Sequence, residues 1–172
     1  MHSVGISQQP DLSVDVNREI YANSLITKII VVPITHIGKN IKELIRQKLA
    51  KEIEGKCITD GYVQPNSIQI YNLSSGIIQS ENVKFEAVFE CKICLPVEGM
   101  IIECIAKNIT KAGIRAELDM KDSPIVLFIA RDHNYLTNEF SLVNENDKIK
   151  VRIIGKRFEL NDTYISIIAQ LI

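Results

Sequence analysis

Helical periodicity occurs only once in this 172-residue chain, and that stretch constrains its folds more than any other feature. Around Gly38 to Glu54, Ile37, Ile41, Leu44, Ile45, Leu49 and Ile53 recur at three- and four-residue steps. Lys39, Lys42, Glu43, Arg46, Lys51 and Glu52 occupy the opposite side. Gly55 supplies a C-terminal stop. The charged side reads as a solvated face or an interaction surface. One helix can cover one face of one sheet, so the rest of the chain must bury its apolar positions in β-structure.

Strand patterns surround the helix. The β-branched run Leu25 to Val32 follows Ser24 and stops at Pro33. After the helix, Lys56–Ile58, Gly61–Val63, Ser67–Tyr71, Gly76–Ile78 and Val83–Cys94 alternate or are short and apolar. Turn residues separate them at Asp60-Gly61, Pro65-Asn66, Ser74-Ser75-Gly76 and Glu81-Asn82. This predicts an α+β domain over 24–95, an antiparallel sheet covered by one helix. Residues 1–23 lack periodicity and read as a flexible extension.

Leu95-Pro96-Val97-Glu98-Gly99 marks a boundary beyond which only strands are expected: Met100–Asn108, Gly113–Leu118, Ile125–Ala130, Lys148–Ile154 and Tyr164–Leu171. Five strands at near-regular spacing predict an all-β barrel of the OB type over 96–172, with Asp132–Val143 as its long loop or a short helix.

Charge and motifs exclude several functions. With 20 Lys+Arg against 21 Asp+Glu, nucleic-acid binding would have to come from a local patch. No apolar run approaches the roughly 20 residues of a membrane helix. Met1 to Ser24 does not resemble a signal peptide, so an intracellular protein is expected, nuclear or cytoplasmic, or in a virus factory or virion if viral. Cys91 and Cys94 have chelate spacing, but in a strand their side chains point to opposite faces, and no second pair accompanies them. No metal and no cofactor are expected. The histidines, His2, His36 and His133, show no ligand spacing, and no phosphate-cradling loop or nucleophile motif is present. Catalysis by this chain alone is not expected.

The most informative local pattern is Asp147-Lys148-Ile149-Lys150-Val151-Arg152-Ile153. Alternation puts Lys148, Lys150 and Arg152 on one outer face, a cation about every 6.8 Å, a spacing that can follow the phosphates of a single strand. Lys156 and Arg157 extend the row, Lys107, Lys111 and Arg115 add charge from the first barrel hairpin, and Phe158 or Tyr164 could supply a stacking face. The other reading is a solubilising face neutralised by Glu145, Asp147 and Glu159. Phe85, Phe89, Phe128 and Phe140 fall on apolar stretches and read as core. Tyr62 and Tyr71 adjoin turns, where a half-buried ring suits either packing or an interface.

The order of these elements resembles one family. The helix end Glu52-Ile53-Glu54-Gly55-Lys56-Cys57, then Gly61-Tyr62-Val63, a hairpin centred on Gly76, Val83-Lys84-Phe85-Glu86-Ala87, and Pro96-Val97-Glu98-Gly99 leading into a barrel carry the likeness. The family is the seventh subunit of eukaryotic RNA polymerase II, with an archaeal stalk counterpart and relatives in large DNA viruses. It covers about Leu25 to Ile172. The resemblance implies a non-catalytic stalk subunit: a tip domain docking on the polymerase core subunits, a partner stalk subunit packed along both domains as a heterodimer, and a barrel beside nascent single-stranded RNA. Carried to this sequence, the core-docking candidates are Pro33 to Gly38 and the hairpin at Gly76 and Ile77, with Gly61 and Tyr62 shaping the neighbouring turn. Family barrels commonly carry an aromatic after the glycine of the second strand, where this chain has Ile114 after Gly113. The alternative, from the residues alone, is a free-standing OB-fold RNA-binding protein in translation or RNA decay.

Overall fold

The computed structural model describes residues 20–134 and 138–172. Most of the expected N-terminal extension, up to position 19, lies outside the described residues, as do three residues of the long barrel loop.

The first module is built around its last strand. β1 (Tyr21–Pro33) is followed by a 3-10 turn at Ile34–His36, then α1 (Ile41–Ile53), β2 (Cys57–Ile58), β3 (Gly61–Val63), β4 (Gln69–Leu73), β5 (Ile77–Gln79) and β6 (Asn82–Cys94). β1 starts at Tyr21, three residues ahead of the expected Ser24, and pairs antiparallel with β6 from Tyr21↔Cys94 to Pro33↔Asn82. On its other edge β6 pairs with β5, β4 and β3 in succession. The sheet is therefore a long central strand flanked by one long strand and three short ones, rather than a simple meander.

Alternation along β6 turns Val83, Phe85, Ala87, Phe89, Cys91 and Ile93 toward α1, where they pack with Ile45, Leu49 and Ile53. Ile45 and Leu49 are fully buried. Truncating either to Ala would cost about 2–5 kcal/mol.

The second module is a closed barrel of β7 (Ile101–Ile109), β8 (Gly113–Glu117), β9 (Ile125–Ala130), β10 (Lys148–Arg157) and β11 (Ile165–Leu171). Around the barrel the order is β7-β8-β9-β11-β10. β9 and β11 run parallel, and every other pair is antiparallel. This is the Greek-key closure of an OB fold. Its interior holds Ile102, Ile114, Ile125, Leu127, Ile129, Val151, Ile153, Ile165 and Ile167.

The barrel core does not stop at Pro96. Ile20, Cys57, Tyr62 and Cys94 belong to the same cluster as the barrel interior. The β10–β11 loop closes on this end: the Cys57 amide donates to the Asp162 carbonyl at 2.8 Å, and the Asn161 amide donates to the Cys57 carbonyl at 2.9 Å. Cys94, which alternation assigns to the wet face of β6, is buried because the barrel covers that end of the sheet. Cys91 lies on the opposite face under α1, so the two sulfurs sit in separate cores, as strand parity requires. At Gly61 φ is 132°, and a Cβ would collide with the Cys94 carbonyl, so this crossing of β3 and β6 needs glycine. Among the described residues, no helix is long and apolar enough to cross a membrane.

Candidate nucleic-acid interface

β10 presents the predicted alternation. Lys148, Lys150 and Arg152 are exposed, while Ile149, Val151 and Ile153 face inward. The row carries partial counter-charge. Lys148 lies 3.7 Å from Asp119, both well exposed, a pairing of little energetic weight. Lys150 is aligned with Glu103 on β7, and Arg152 with Gln170 on β11.

The row does not continue as the sequence suggests. A bulge between Ile153 and Gly155 shifts the register, so Lys156 aligns with inward-facing Ile167. Its ammonium donates instead to the Pro96 carbonyl at 2.9 Å, tying the strand to the linker. Arg157 returns to the outer face opposite Ser166, 3.9 Å from Glu159. Phe158 is half-buried and packs against the barrel core. Tyr164 is 44% exposed.

A second face has an aromatic at its centre. Phe128 on β9 is 39% exposed, not core as its apolar run suggests, whereas Phe85, Phe89 and Phe140 are buried. It is aligned with Arg115 on β8 and with Ile168 on β11, which is also exposed. Its ring lies over Gly113, which has no side chain to displace it. Ile114, which follows Gly113, points into the core. In the run Ile125-Val126-Leu127-Phe128-Ile129 no polar residue marks the outer side, so parity alone could not expose Phe128. The signal was Gly113 on the adjacent strand.

Arg115 pairs with Glu117 at 3.0 Å on the same face. Exposed Lys111 stands in the β7–β8 turn, where its carbonyl accepts from Arg131 Nε at 2.9 Å. The Arg131 guanidinium lies 4.8 Å over the Phe140 ring, which closes this end of the barrel. Strands two and three and the adjoining turn form the face on which OB folds hold oligonucleotides. The predicted cations therefore fall on two faces: Lys148, Lys150 and Arg152 on β10, and Arg115 and Lys111 beside Phe128.

The residues carried over for docking also separate. Pro33 aligns with Asn82, and the Ile34 amide donates to the Glu81 carbonyl, which brings the end of β1 beside the β5–β6 hairpin. Gly76 packs under Val83 and Phe85, and Ile77 and Ile78 project at 61% and 73% exposure. Ile34 and Ile37, flanking His36 and near Gly38, are exposed as well. Gly61 and Tyr62 are not part of this end. Tyr62 is 4% exposed and lies in the barrel cluster, because β3 pairs with the C-terminal end of β6 and Pro33 with its start.

All four cysteines are reduced and buried. Burial pushes the Cys57 and Cys91 thiols up to about 11 and the Cys94 and Cys104 thiols to about 12. Thiols held neutral in this way make poor nucleophiles and metal ligands. Among the described residues, no group of three His, Cys, Asp or Glu side chains could hold a metal ion.

No protein-family model matches the chain. It is 29% identical over 170 aligned residues to a putative DNA-directed RNA polymerase subunit of Acanthamoeba polyphaga mimivirus, covering 88% of this chain and 81% of that one. It is 24% identical over 146 residues to DNA-directed RNA polymerase II subunit RPB7 of Glycine max, covering 75% of this chain and 80% of that one. The corresponding Arabidopsis thaliana protein, RNA polymerase II subunit 7, is 26% identical over 139 residues, covering 71% and 76%. The chain thus joins an α+β module to an OB barrel and is similar, along most of its length, to proteins named as RNA polymerase II subunit 7 in plants and as an RNA polymerase subunit in a virus.

Proposed function

We propose that this chain is a non-catalytic stalk subunit of a DNA-dependent RNA polymerase. The end of the helix-backed module that carries Ile34, Ile77 and Ile78 docks on the polymerase core, and the barrel contacts nascent single-stranded RNA. The observation that carries this reading is the polarity of the molecule. Exposed isoleucines gather at the free end of one module, while cations and the exposed Phe128 ring lie on the other. Two exposed isoleucines on a hairpin with a third in the turn beside it are what a protein interface buries.

The homologues' names favour polymerase as the partner over an unrelated complex. In this reading a second stalk subunit packs along both modules as a heterodimer. RNA contact is electrostatic and sequence-tolerant, with Phe128 stacking one base and the β10 row following phosphates. The site of action is intracellular.

Affinity capture of the tagged protein from its native source tests the proposal. Recovery of the large polymerase subunits is expected. Recovery of ribosomal or RNA-decay proteins without polymerase would favour a free-standing RNA-binding protein instead.

A further inference from the structure

A cavity of about 520 Å³ lies where the helix-backed module meets the barrel, within the size range of small-molecule sites, roughly 300–1,000 Å³. Tyr62 and Pro65 line it from the first module, and Arg115, Asp122, Val126 and Tyr164 line it from the barrel. It opens beside the β8–β9 face, since Arg115 and Val126 belong to both.

One group lining the cavity is a hydroxyl with no hydrogen-bond partner among the described residues. Tyr62 is 4% exposed, yet its hydroxyl makes no hydrogen bond among the described residues. That oxygen is directed to the cavity: a Cβ on Gly55, another lining residue, would stand 3.9 Å from it. Burial raises the Tyr62 pKa first and the Asp122 charge raises it further, so a neutral O–H donor faces a carboxylate across the space. A phenol whose ring is packed and whose O–H opens to the cavity is free to donate to an incoming acceptor.

The charge balance selects the ligand. Asp122 and Glu117 outnumber Arg115 in the lining, and Arg115 is already paired with Glu117. A phosphate is therefore disfavoured inside, and a neutral group rich in N–H donors is favoured. The ring of Tyr164 and the apolar sides of Pro65 and Val126 suit a flat heterocycle.

We propose that this cavity holds one unpaired guanine base from the same RNA strand that crosses the Phe128 face. Guanine carries adjacent N1–H and N2–H donors that match a carboxylate, here Asp122. Its O6 and N7 accept from a hydroxyl, here Tyr62. The base stacks on Tyr164, and Arg115 at the boundary serves a flanking phosphate. This inference rests on the RNA reading above and adds a base preference to it.

Binding of the full chain to two fluorescent 12-mer RNAs tests it, one all uridine and one with a single central guanosine. The guanosine oligomer is expected to bind about tenfold tighter, the scale of a bidentate base contact. Asp122→Asn, which keeps a residue tolerant of the 54° φ at this position, and Tyr62→Phe should each bring that ratio close to one without changing all-uridine affinity. Equal affinities, or a preference that survives both substitutions, would overturn the inference while leaving the RNA reading standing. If neither oligomer binds, the RNA reading fails, and saturation-transfer NMR with guanosine alone decides the cavity. A transfer signal that disappears in Asp122→Asn supports a base site; a signal that persists in that variant, or none in the wild type, refutes it.

Discussion

The Phe128 ring lies across Gly113 on the adjacent strand, so close that a Cβ on Gly113 would stand 2.9 Å from the ring's Cζ and collide with the Ile129 carbonyl. The glycine leaves room for the tip of the ring, and Phe128 stays 39% exposed. Gly113→Ala is expected to destabilise the protein by about 1–3 kcal/mol through overpacking. Guanidinium unfolding measures this, and an unshifted midpoint would mean the ring is not held there.

Phe128→Ala should act mainly on binding, because the ring is partly exposed and its removal leaves a smaller cavity than a core phenylalanine would. Loss of one stacking platform is expected to weaken single-stranded RNA binding by about 1–3 kcal/mol. Fluorescence anisotropy at fixed salt reads the effect. Unchanged affinity would assign the exposed ring to barrel packing.

Replacing Lys148, Lys150 and Arg152 together by Ser should lower the slope of log K against log salt by about two units, at roughly 0.7 per phosphate contact on a single strand. Lys156→Ser should leave the slope unchanged, since its ammonium is bonded to the Pro96 carbonyl. A row that merely solubilises the barrel would give the same slope in wild type and triple variant.

Ile77→Asp with Ile78→Asp should abolish capture of polymerase subunits while leaving RNA affinity intact. Both side chains are exposed, so the double variant is expected to keep its melting temperature within a few degrees. Retained capture would move the docking surface elsewhere.

The buried thiols predict an alkaline limit. Their folded pKa values of about 11 to 12 exceed the ordinary value of 9.0, so the folded state holds these protons more tightly than the unfolded chain. Their contribution to stability is full below pH 9 and is lost as pH rises through 11 to 12. Denaturation midpoints should fall over that window. At pH 8, native protein should react with a thiol reagent far more slowly than denatured protein; four rapidly titrating thiols would contradict the packing.

Local pattern was enough for most of the architecture. Period two set the barrel strands to within a few residues: β8 and β9 begin at the expected Gly113 and Ile125, and β10 at Lys148. One stretch of helical periodicity set α1, which starts at Ile41 rather than Gly38, with Asn40 as its N-cap residue. Parity also placed the β10 cations on the outer side as far as Arg152; beyond it Lys156 is still exposed, but a bulge that no hydrophobic pattern announces shifts the register.

Alternation divides a strand into two faces, so residue order alone carries one helix, two β-modules, a cation row, and sulfurs of Cys91 and Cys94 on opposite sides. Which neighbour covers each face depends on long-range pairing, which residue order does not display. The first strand pairs with the last of its module, the barrel packs over Cys94 and Tyr62, and the β10–β11 loop bonds to Cys57. Phe128 is exposed for the same reason: none of the described residues covers its face, a fact about the surroundings of β9 rather than about its residues.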